Sequence, residues 1–286
     1  MRVRPGANLR RDMSITNAQD ARAPVGHLIR HWRQQRRWSQ LDLACEAEIS
    51  TRHLSFVETG RAQPSREMLL RLAGPLELPL RERNVLLVAA GYAPVYRERA
   101  LADPELAQAR AAVERLLAAN APNPALAVDR HWNLVNANAP ARLLMADIAP
   151  ELRGPPLNVL RASLHPGGLA PRIVNFAEWR AHVLHRLRRQ VEASGDRGLA
   201  ELLDELTLLP APAGPVPGTP PAAAAQAGVV LPLQLRSPVG TLSFLSTTMV
   251  FGTAVDITLA ELVVESFFPA DPATAAALAR LAGGAP

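Results

Sequence analysis

Apolar residues recur at helical spacing in five short segments between residues 24 and 92, with polar residues between them. A spacing of three to four residues is typical of amphipathic helices that bury one face. The pattern therefore predicts a compact all-α unit whose five helices span residues 25–37, 40–47, 51–59, 65–76 and 80–90.

The pattern changes in the second half of the chain, where helical spacing alternates with short β-type runs. Strands are predicted at 125–129 and 132–136, at 229–236 and 239–246 around the turn Ser237-Pro238, and within 255–268. Helices are predicted at 107–119, from Asn138 to residue 144, at 178–193 and at 199–209. Strands at both ends with helices between them indicate an α+β unit with a mostly antiparallel sheet.

Composition shifts give the domain boundaries. Residues 1–23 are polar and lack periodicity, so we expect a disordered tail. Residues 24–92 form the first domain, 93–104 a linker, 105–270 the second domain and 271–286 a C-terminal helix or tail. Within the second domain, the Pro- and Ala-rich stretch 210–225 is predicted to be a flexible insertion.

The segment 40–58 has the spacing of two helices joined by a tight turn. Ser39 is a good N-cap, with Asp42 three residues on as a loose capping box. The inner positions are apolar or small: Leu43, Ala44, Ala47, Ile49, Leu54 and Val57. The second helix then turns a largely polar face outwards, as the recognition helix of a helix-turn-helix does. An ordinary αα-hairpin has the same periodicity and stays open as the alternative.

The distribution of charge favours the helix-turn-helix interpretation. All 31 basic residues are arginine, and residues 22–99 carry a net charge of +5 while residues 100–286 carry −2. A basic module joined to a near-neutral one is typical of a protein whose first domain meets a polyanion. An Arg-rich, solvated surface is the alternative explanation.

Other classes of protein fit the composition poorly. One cysteine excludes an internal disulfide and a Cys-based zinc site. The apolar runs are too short to cross a bilayer, and the N-terminus lacks the apolar core of a signal peptide. We therefore expect a cytoplasmic protein, nucleoid-associated when bound to DNA, with no membrane partner.

Candidate catalytic chemistry is sparse. Glu178, His182 and His185 share one helical face, but the arginines around them disfavour a bound cation, and no metal is expected. Cys45 lies in the first motif helix, where a buried small residue is the simpler interpretation than a nucleophile. We expect no enzyme and no cofactor.

Residues 28–80 resemble the XRE (Cro/C1-type) helix-turn-helix family, through the run STRHLSFVETGRAQPSREMLLRLA at 50–73 and the preceding SQ and LA pairs. The whole chain resembles regulators that add a MmyB-like, PAS-related ligand-binding domain. The residues that carry this second resemblance are RERNVLLVAAGYAPVY (81–96), the segment 132–138 and the hairpin 235–245.

The resemblance implies an N-terminal lambda-repressor-like five-helix DNA-binding domain followed by an α+β, PAS-like domain. It also implies a transcriptional regulator that binds double-stranded operator DNA as a homodimer. Residues that would contact DNA are Gln40, Ser50, Thr51, Arg52, Ser55, Phe56, Arg61 and Arg37. Of these, Arg52 would pair with a guanine and Phe56 would press on a thymine methyl, although Phe56 packed inside is an open alternative.

Two further features follow from the family. An ion pair between Arg33 and Glu58 would pin the first helix to the recognition helix. The turn residue before Ile49 is commonly glycine, because its backbone is left-handed, and Glu48 stands there in this chain. We expect Glu48 to adopt that conformation at a cost of about 1 kcal/mol and to point away from DNA.

The resemblance also implies a hydrophobic effector, fatty-acid-like or otherwise, held between the sheet and helices of the second domain. Candidate lining residues are Trp132, Phe176, Trp179, Leu242 and Phe244, which serve equally well as ordinary core. Two rival functions stay open: an antitoxin or protein-interaction module built on the helix-turn-helix, and an enzyme built on the second domain.

Overall fold

The computed structural model of the protein describes residues 24–212 and 230–283. The predicted tail 1–23 and the predicted insertion 210–225, apart from residues 210–212, lie outside the described residues. The chain divides into two compact units. The first comprises residues up to Glu98 with the short segment Val255–Ile257, and the second comprises the rest.

Five helices form the first unit. They are α1 (Val25–Gln35), α2 (Gln40–Glu46), α3 (Thr51–Glu58), α4 (Arg66–Ala73) and α5 (Leu80–Ala89). Three of them begin at serine caps, in which Ser39, Ser50 and Ser65 each accept a hydrogen bond from the backbone N–H three residues on. One apolar core fills the space between the helices and includes Ile29, Leu43, Leu54, Val57 and Leu72.

The second unit contains an antiparallel five-stranded sheet in the order β2-β1-β5-β4-β3. Its strands are β1 (Ala125–Val128), β2 (Leu134–Ala137), β3 (Leu233–Ser237), β4 (Gly240–Val250) and β5 (Val263–Pro269). The helices are α6 (Ala107–Ala119), α7 (Ala139–Leu144), α8 (Val159–Leu164), α9 (Phe176–Ser194), α10 (Arg197–Leu208), α11 (Ile257–Ala260) and α12 (Pro272–Gly283).

Side chains on α6 pack against residues of β1 and β5 in a small cluster that contains Val113, Leu117, Ala127 and Val264. A larger core joins the sheet to α9 and α10, with Leu187 and Leu206 both fully buried. The predicted fold class, a helical DNA-binding domain followed by an α+β, PAS-like domain, is confirmed.

Two local expectations need correction, and two short helices were not predicted. Cys45 is exposed, because it falls on the outer side of α2, away from the buried Leu43 and Ala44. The second strand begins at Leu134 and not at residue 132, because Trp132 adopts a left-handed backbone with φ 66° and ends the turn before the strand. The two short helices that were not predicted from the sequence are α8 and α11.

Candidate DNA-binding surface and ligand cavity

The entry into α2 is fixed by a reciprocal cap. The Ser39 hydroxyl accepts a hydrogen bond from the Asp42 N–H at 3.1 Å, and the Asp42 carboxylate accepts one from the Ser39 N–H at 2.8 Å. These two bonds satisfy backbone donors that the first turn of a helix leaves free. Because the cap sets where α2 starts, it also sets where the following turn places α3.

The turn between α2 and α3 has a left-handed residue at its centre. Glu48 has φ 53° and its side chain is exposed. The Ile49 N–H then donates to the Ala44 carbonyl at 2.9 Å, which closes α2 and redirects the chain. Glutamate here costs about 1 kcal/mol relative to glycine, and the turn keeps its geometry because the packed helices on both sides determine it.

Helix α3 has one buried and one open face. Leu54 and Val57 are fully buried against α1 and α2, whereas Arg52 is exposed and Thr51, Ser55 and Phe56 are partly exposed. The Ser50 hydroxyl is used as the helix cap, since it accepts a hydrogen bond from the His53 N–H at 3.1 Å. The four residues expected to face the major groove therefore lie on one accessible side of the helix.

Arg52 and Phe56 contact each other on that side. The Arg52 guanidinium lies over the Phe56 ring, 5.4 Å from its centroid. Residues four apart are neighbours on a helix surface, and a cation over an aromatic face is attracted to it. Phe56 is partly buried, and it is not among the residues of the apolar core of the first unit.

A buried ion pair joins α1 to α3. The Arg33 Nε and one terminal nitrogen donate to the two Glu58 carboxylate oxygens at 2.7 and 2.9 Å, and the Gln40 amide donates to the same carboxylate at 2.8 Å. Burial alone would raise the pKa of Glu58, but the hydrogen bonds from Arg33 and Gln40 and the charge of Arg33 outweigh it and lower that pKa. The pair ties α3 to α1.

Gln40 therefore has a partner inside the protein, at the start of α2. Its contact with a DNA phosphate stays a prediction, and the structure adds a second role for it, as the residue that links α2 to the Arg33–Glu58 pair. The sequence gives no sign of this link, because it depends on the crossing of three helices.

A glycine on α1 makes the close approach of α1 and α3 possible. A Cβ atom added to Gly26 would lie 2.2 Å from the Val57 carbonyl oxygen and 2.8 Å from that of Glu58. These are backbone atoms, which a side-chain rotation cannot move away. The sequence analysis missed Gly26, although a small residue on the inner face of a helix next to apolar positions was the available signal.

The two arginines that are predicted to contact DNA phosphates lie just after α1 and just after α3 in the chain. Arg61 follows the helix after Gly60, whose φ of 73° provides the left-handed residue that ends it, and Arg37 follows α1 with φ 59°. Both side chains are exposed, and neither makes an ion pair within residues 24–212 and 230–283. They are accessible to phosphate groups.

The second unit contains a cavity of about 110 Å³ between the sheet and the helices α7, α8 and α9. Its wall is mostly apolar and includes Leu126, Leu160, Val183, Leu233 and Phe267. An apolar cavity of this kind takes apolar molecules in preference to water.

Three of the five predicted lining residues, Trp132, Trp179 and Phe244, line this cavity. Phe176 and Leu242 do not line it, and they fit the alternative that the sequence left open for all five residues, ordinary core. Both are buried in the core beside it, because the cavity begins one turn further along α9 than Phe176 and one position further along the inner face of β4 than Leu242.

Charged groups are concentrated at one place on the cavity wall. Arg186 on α9 donates to Glu265 on β5 at 2.5 Å and to the Thr248 hydroxyl at 3.1 Å, and its guanidinium lies 4.6 Å from the centroid of the Trp132 ring. Sequence analysis missed both charged residues, because only the sheet register brings β5 opposite this turn of α9.

The histidines of α9 do not form a metal site with their neighbours. His182 stacks on Trp179, with ring centroids 5.6 Å apart, and lines the cavity. In the part of the chain that the structure describes, no group of three or more His, Cys, Asp or Glu side chains is arranged to hold a metal ion.

Asp196 anchors α10 to the turn between β1 and β2. It caps the helix at Leu199 and accepts hydrogen bonds from His131, and Arg130 pairs with it at 3.1 Å. Burial would raise the pKa of Asp196, but His131, the Leu199 N–H and Arg130 lower it to about 2. Asn138 similarly caps α7 and bonds to the backbone of β1, which accounts for it without a ligand.

Comparison with known proteins gives matches to both units. Residues 109–281 match the family model of the MmyB-like transcription regulator ligand binding domain, and residues 24–86 match a helix-turn-helix domain model. No helix among the described residues has the length and apolar character needed to span a membrane.

The chain is 34% identical over 118 residues to uncharacterised HTH-type transcriptional regulators from Mycobacterium bovis and Mycobacterium tuberculosis. The match covers 39% of this chain and 40% of each relative, so it spans less than half of the relatives' length. The family match, by contrast, covers more than half of the chain, with a helix-turn-helix domain ahead of it. This chain belongs to the family of the MmyB-like transcription regulator ligand binding domain.

Proposed function

We propose that the protein is a transcriptional regulator that binds double-stranded DNA in a sequence-specific manner through α3. The observation that carries this proposal is the pair of faces on α3: one is fixed by the buried Leu54, Val57 and Glu58, and the other is open, with Arg52 exposed. A short helix held rigidly with an accessible polar face is what major-groove recognition requires.

The roles of the individual residues follow from their positions. Thr51, Arg52, Ser55 and Phe56 face the base edges, with Arg52 suited to the O6 and N7 atoms of guanine. Contacts to the DNA backbone come from residues at the ends of α1, α2 and α3, namely Arg37, Gln40, Ser50 and Arg61. These contacts set the register of the complex but do not read the sequence.

A homodimer on a two-fold symmetric operator completes the proposal. One α3 covers only a few base pairs, and two copies related by a two-fold axis place their recognition helices about one DNA turn, roughly 34 Å, apart. The relatives are named as regulators and the family as a regulator domain, which also favours regulation over catalysis.

The test is a selection from a pool of random duplexes with the purified full chain. The proposal predicts enrichment of a sequence with two inverted half-sites, one DNA turn apart from centre to centre. Failure to enrich any sequence, together with a stable protein partner in a pull-down, would instead favour an antitoxin or protein-interaction module.

We further propose that a small hydrophobic ligand in the cavity of the second unit modulates DNA binding. Ligand binding changes DNA affinity only if the ligand prefers one arrangement of the dimer over another. Native mass spectrometry of the purified protein tests for a co-purified molecule. Titrations of the protein with the selected duplex, in the presence and absence of that molecule, test whether the molecule changes the DNA affinity. Equal DNA affinity in both titrations would remove this part of the proposal.

A further inference from the structure

Arg52 lies in the capped first turn of α3. The Ser50 hydroxyl accepts a hydrogen bond from the His53 N–H at 3.1 Å, so the cap fixes the backbone on both sides of Arg52. The Arg52 side chain is exposed, and its guanidinium makes no ion pair within residues 24–212 and 230–283. Its charge and its N–H donors are therefore available to an acceptor outside the protein.

Phe56 lies one helical turn further on, and its backbone is fixed as well. Its carbonyl oxygen accepts hydrogen bonds from the Arg61 N–H at 2.8 Å and from the Ala62 N–H at 3.1 Å, where the chain leaves α3. The other side of the helix is anchored by Leu54 and Val57, which are fully buried. The helix therefore presents Arg52 and Phe56 from the same face with little freedom of the backbone.

The two side chains contact each other before any DNA is bound. The Arg52 guanidinium lies over the Phe56 ring, 5.4 Å from its centroid. At an exposed site, the attraction between a cation and an aromatic face changes an equilibrium constant by roughly two- to fivefold. The ring thus favours one orientation of a long side chain that is otherwise free to rotate.

The distance between the two groups determines how far apart their base contacts lie. Stacked base pairs rise by about 3.4 Å, so base pairs two steps apart are separated by about 6.8 Å along the duplex. The ring centroid is closer than that to the guanidinium, at 5.4 Å. When the guanidinium binds the O6 and N7 atoms of a guanine, the Phe56 ring lies against the edge of the neighbouring base pair.

The edge that Phe56 contacts must offer an apolar group, because its side chain has no hydrogen-bonding atom. In the major groove that group is the C5 methyl of thymine, whereas cytosine presents an amine donor and no methyl. A methyl group on C5 of cytosine occupies the same position, since C5 is the same ring atom in both pyrimidines. The contact therefore recognises the methyl group and not the base that carries it.

We propose that Arg52 and Phe56 together read one dinucleotide step: a guanine and, in the adjacent base pair, a pyrimidine with a C5 methyl group, either thymine or 5-methylcytosine. Phe56 contacts the methyl group and is also a positioning residue for Arg52. This rests on the proposed DNA-binding function of α3, and it adds the coupling of the two contacts and the recognition of methylated cytosine.

The experiment measures the affinity of the full chain for modified copies of the selected duplex by fluorescence anisotropy. Replacement of each guanine by 7-deazaguanine, which lacks N7, identifies the contacted guanine as the one whose replacement has no further effect in Arg52→Ala. The adjacent pyrimidine is then made uracil, thymine, cytosine or 5-methylcytosine, with the matching purine opposite. The methyl group should raise the affinity about fourfold in both pairs, the value for one buried carbon group.

Three variants separate the aromatic ring from its apolar bulk. Phe56→Leu keeps an apolar side chain without the ring, so it should reduce the preference for guanine over 7-deazaguanine by roughly two- to fivefold. Phe56→Tyr keeps the ring and should retain the preference. His53→Ala, at another exposed position of α3, is the matched control and should change neither the guanine nor the methyl preference. If Phe56→Leu does not fold, the methyl series on the unmodified protein decides alone.

The possible failures are distinguishable. Equal affinity with and without the methyl group, or an unchanged guanine preference in a folded Phe56→Leu, would overturn the proposal and leave DNA recognition by α3 standing. Selected half-sites that contain no guanine with a thymine in an adjacent base pair would overturn it in the same way. Failure to select any duplex from the random pool would instead remove the proposed function, and this inference with it.

Discussion

Removing Glu58 should destabilise the first unit far more than removing a surface carboxylate. The side chain of Glu58 is 1% exposed and that of Arg33 is 10% exposed. Among the described residues, Glu58→Ala leaves the Arg33 guanidinium with the Trp38 carbonyl, at 2.8 Å, as its hydrogen-bond acceptor. The substitution also leaves the Gln40 amide without its acceptor. Breaking a buried pair from one side costs about 3–5 kcal/mol.

That cost is large for a single domain. It corresponds to an increase in the unfolded fraction of roughly a hundredfold to several thousandfold. A small domain has about 5–15 kcal/mol of stability in total, so the variant should open locally or unfold under mild conditions.

Hydrogen exchange with mass spectrometry is the suitable assay, because it reports each unit separately within the full chain. Protection should fall in peptides from α1 and α3 and stay unchanged in peptides from α9 and β5. Glu46→Ala, at an exposed position on α2, is the matched control and should cost less than about 0.5 kcal/mol.

The pH dependence gives an independent check. Because the pKa of Glu58 is lowered in the folded state, its contribution is complete above the ordinary value of 4.5 and is lost as the pH falls below it. The Glu58→Ala variant should therefore lose less stability than the unmodified protein as the pH falls below 4.5. A loss below about 1 kcal/mol for Glu58→Ala, the size of an exposed ion pair, would refute the structural role of this pair.

Three further changes have defined outcomes. Gly26→Ala should lower the stability of the first unit and its DNA affinity, because the added Cβ would lie 2.2 Å from a backbone carbonyl oxygen of α3. The control Gly74→Ala, whose added Cβ has its nearest atom at 3.7 Å, should have little effect on stability in thermal melts. In the unmodified protein, Asp196 contributes stability that is present above pH 3.8 and is lost as the pH falls through about 2, and Asp196→Asn should remove this contribution. Acid titration followed by circular dichroism measures the difference. Identical titration curves for the variant and the unmodified protein would contradict the prediction. Phe56→Ala should weaken binding to the selected duplex about tenfold with little change on random duplex, because it removes both an apolar base contact and the ring under the guanidinium. Equal losses on both duplexes in a fluorescence anisotropy titration would contradict the proposed base contact of Phe56.

Much of the first unit could be predicted because local signals agree with one another there. Serine caps, the glycine after α3 and the apolar spacing all mark the same boundaries, so each helix was expected within a few residues of where it lies. The left-handed Glu48 was also expected, since the turn imposes it whichever residue is present.

What the sequence could not show depends on contacts between distant elements. Gly26 matters only because α1 crosses the end of α3, and Gln40 bonds to Glu58 only because three helices meet. The helical spacing around Gly26 indicates a small residue on an inner face but not which element approaches it, and the bond between Gln40 and Glu58 has no signal along the chain.

The sequence identified only part of the cavity wall, because the wall also depends on contacts between distant elements. Its position along α9 and β4 follows from the sheet order and register, which place Glu265 opposite Arg186. An apolar pattern identifies the residues that point inwards but does not distinguish filled core from empty space. Phe176 and Leu242 were therefore assigned to a cavity that begins beside them.

The central claim is that the exposed face of α3 reads base sequence while the arginines around it hold the DNA backbone. The most direct test measures the affinity of Arg52→Ala and Arg61→Ala for the selected duplex and for a scrambled one, at one salt concentration. Arg52→Ala should lose about 1–3 kcal/mol on the selected duplex and little on the scrambled one. Arg61→Ala should weaken both to a similar extent. Equal losses on both duplexes for Arg52→Ala would contradict the assignment of α3 as the helix that reads the sequence.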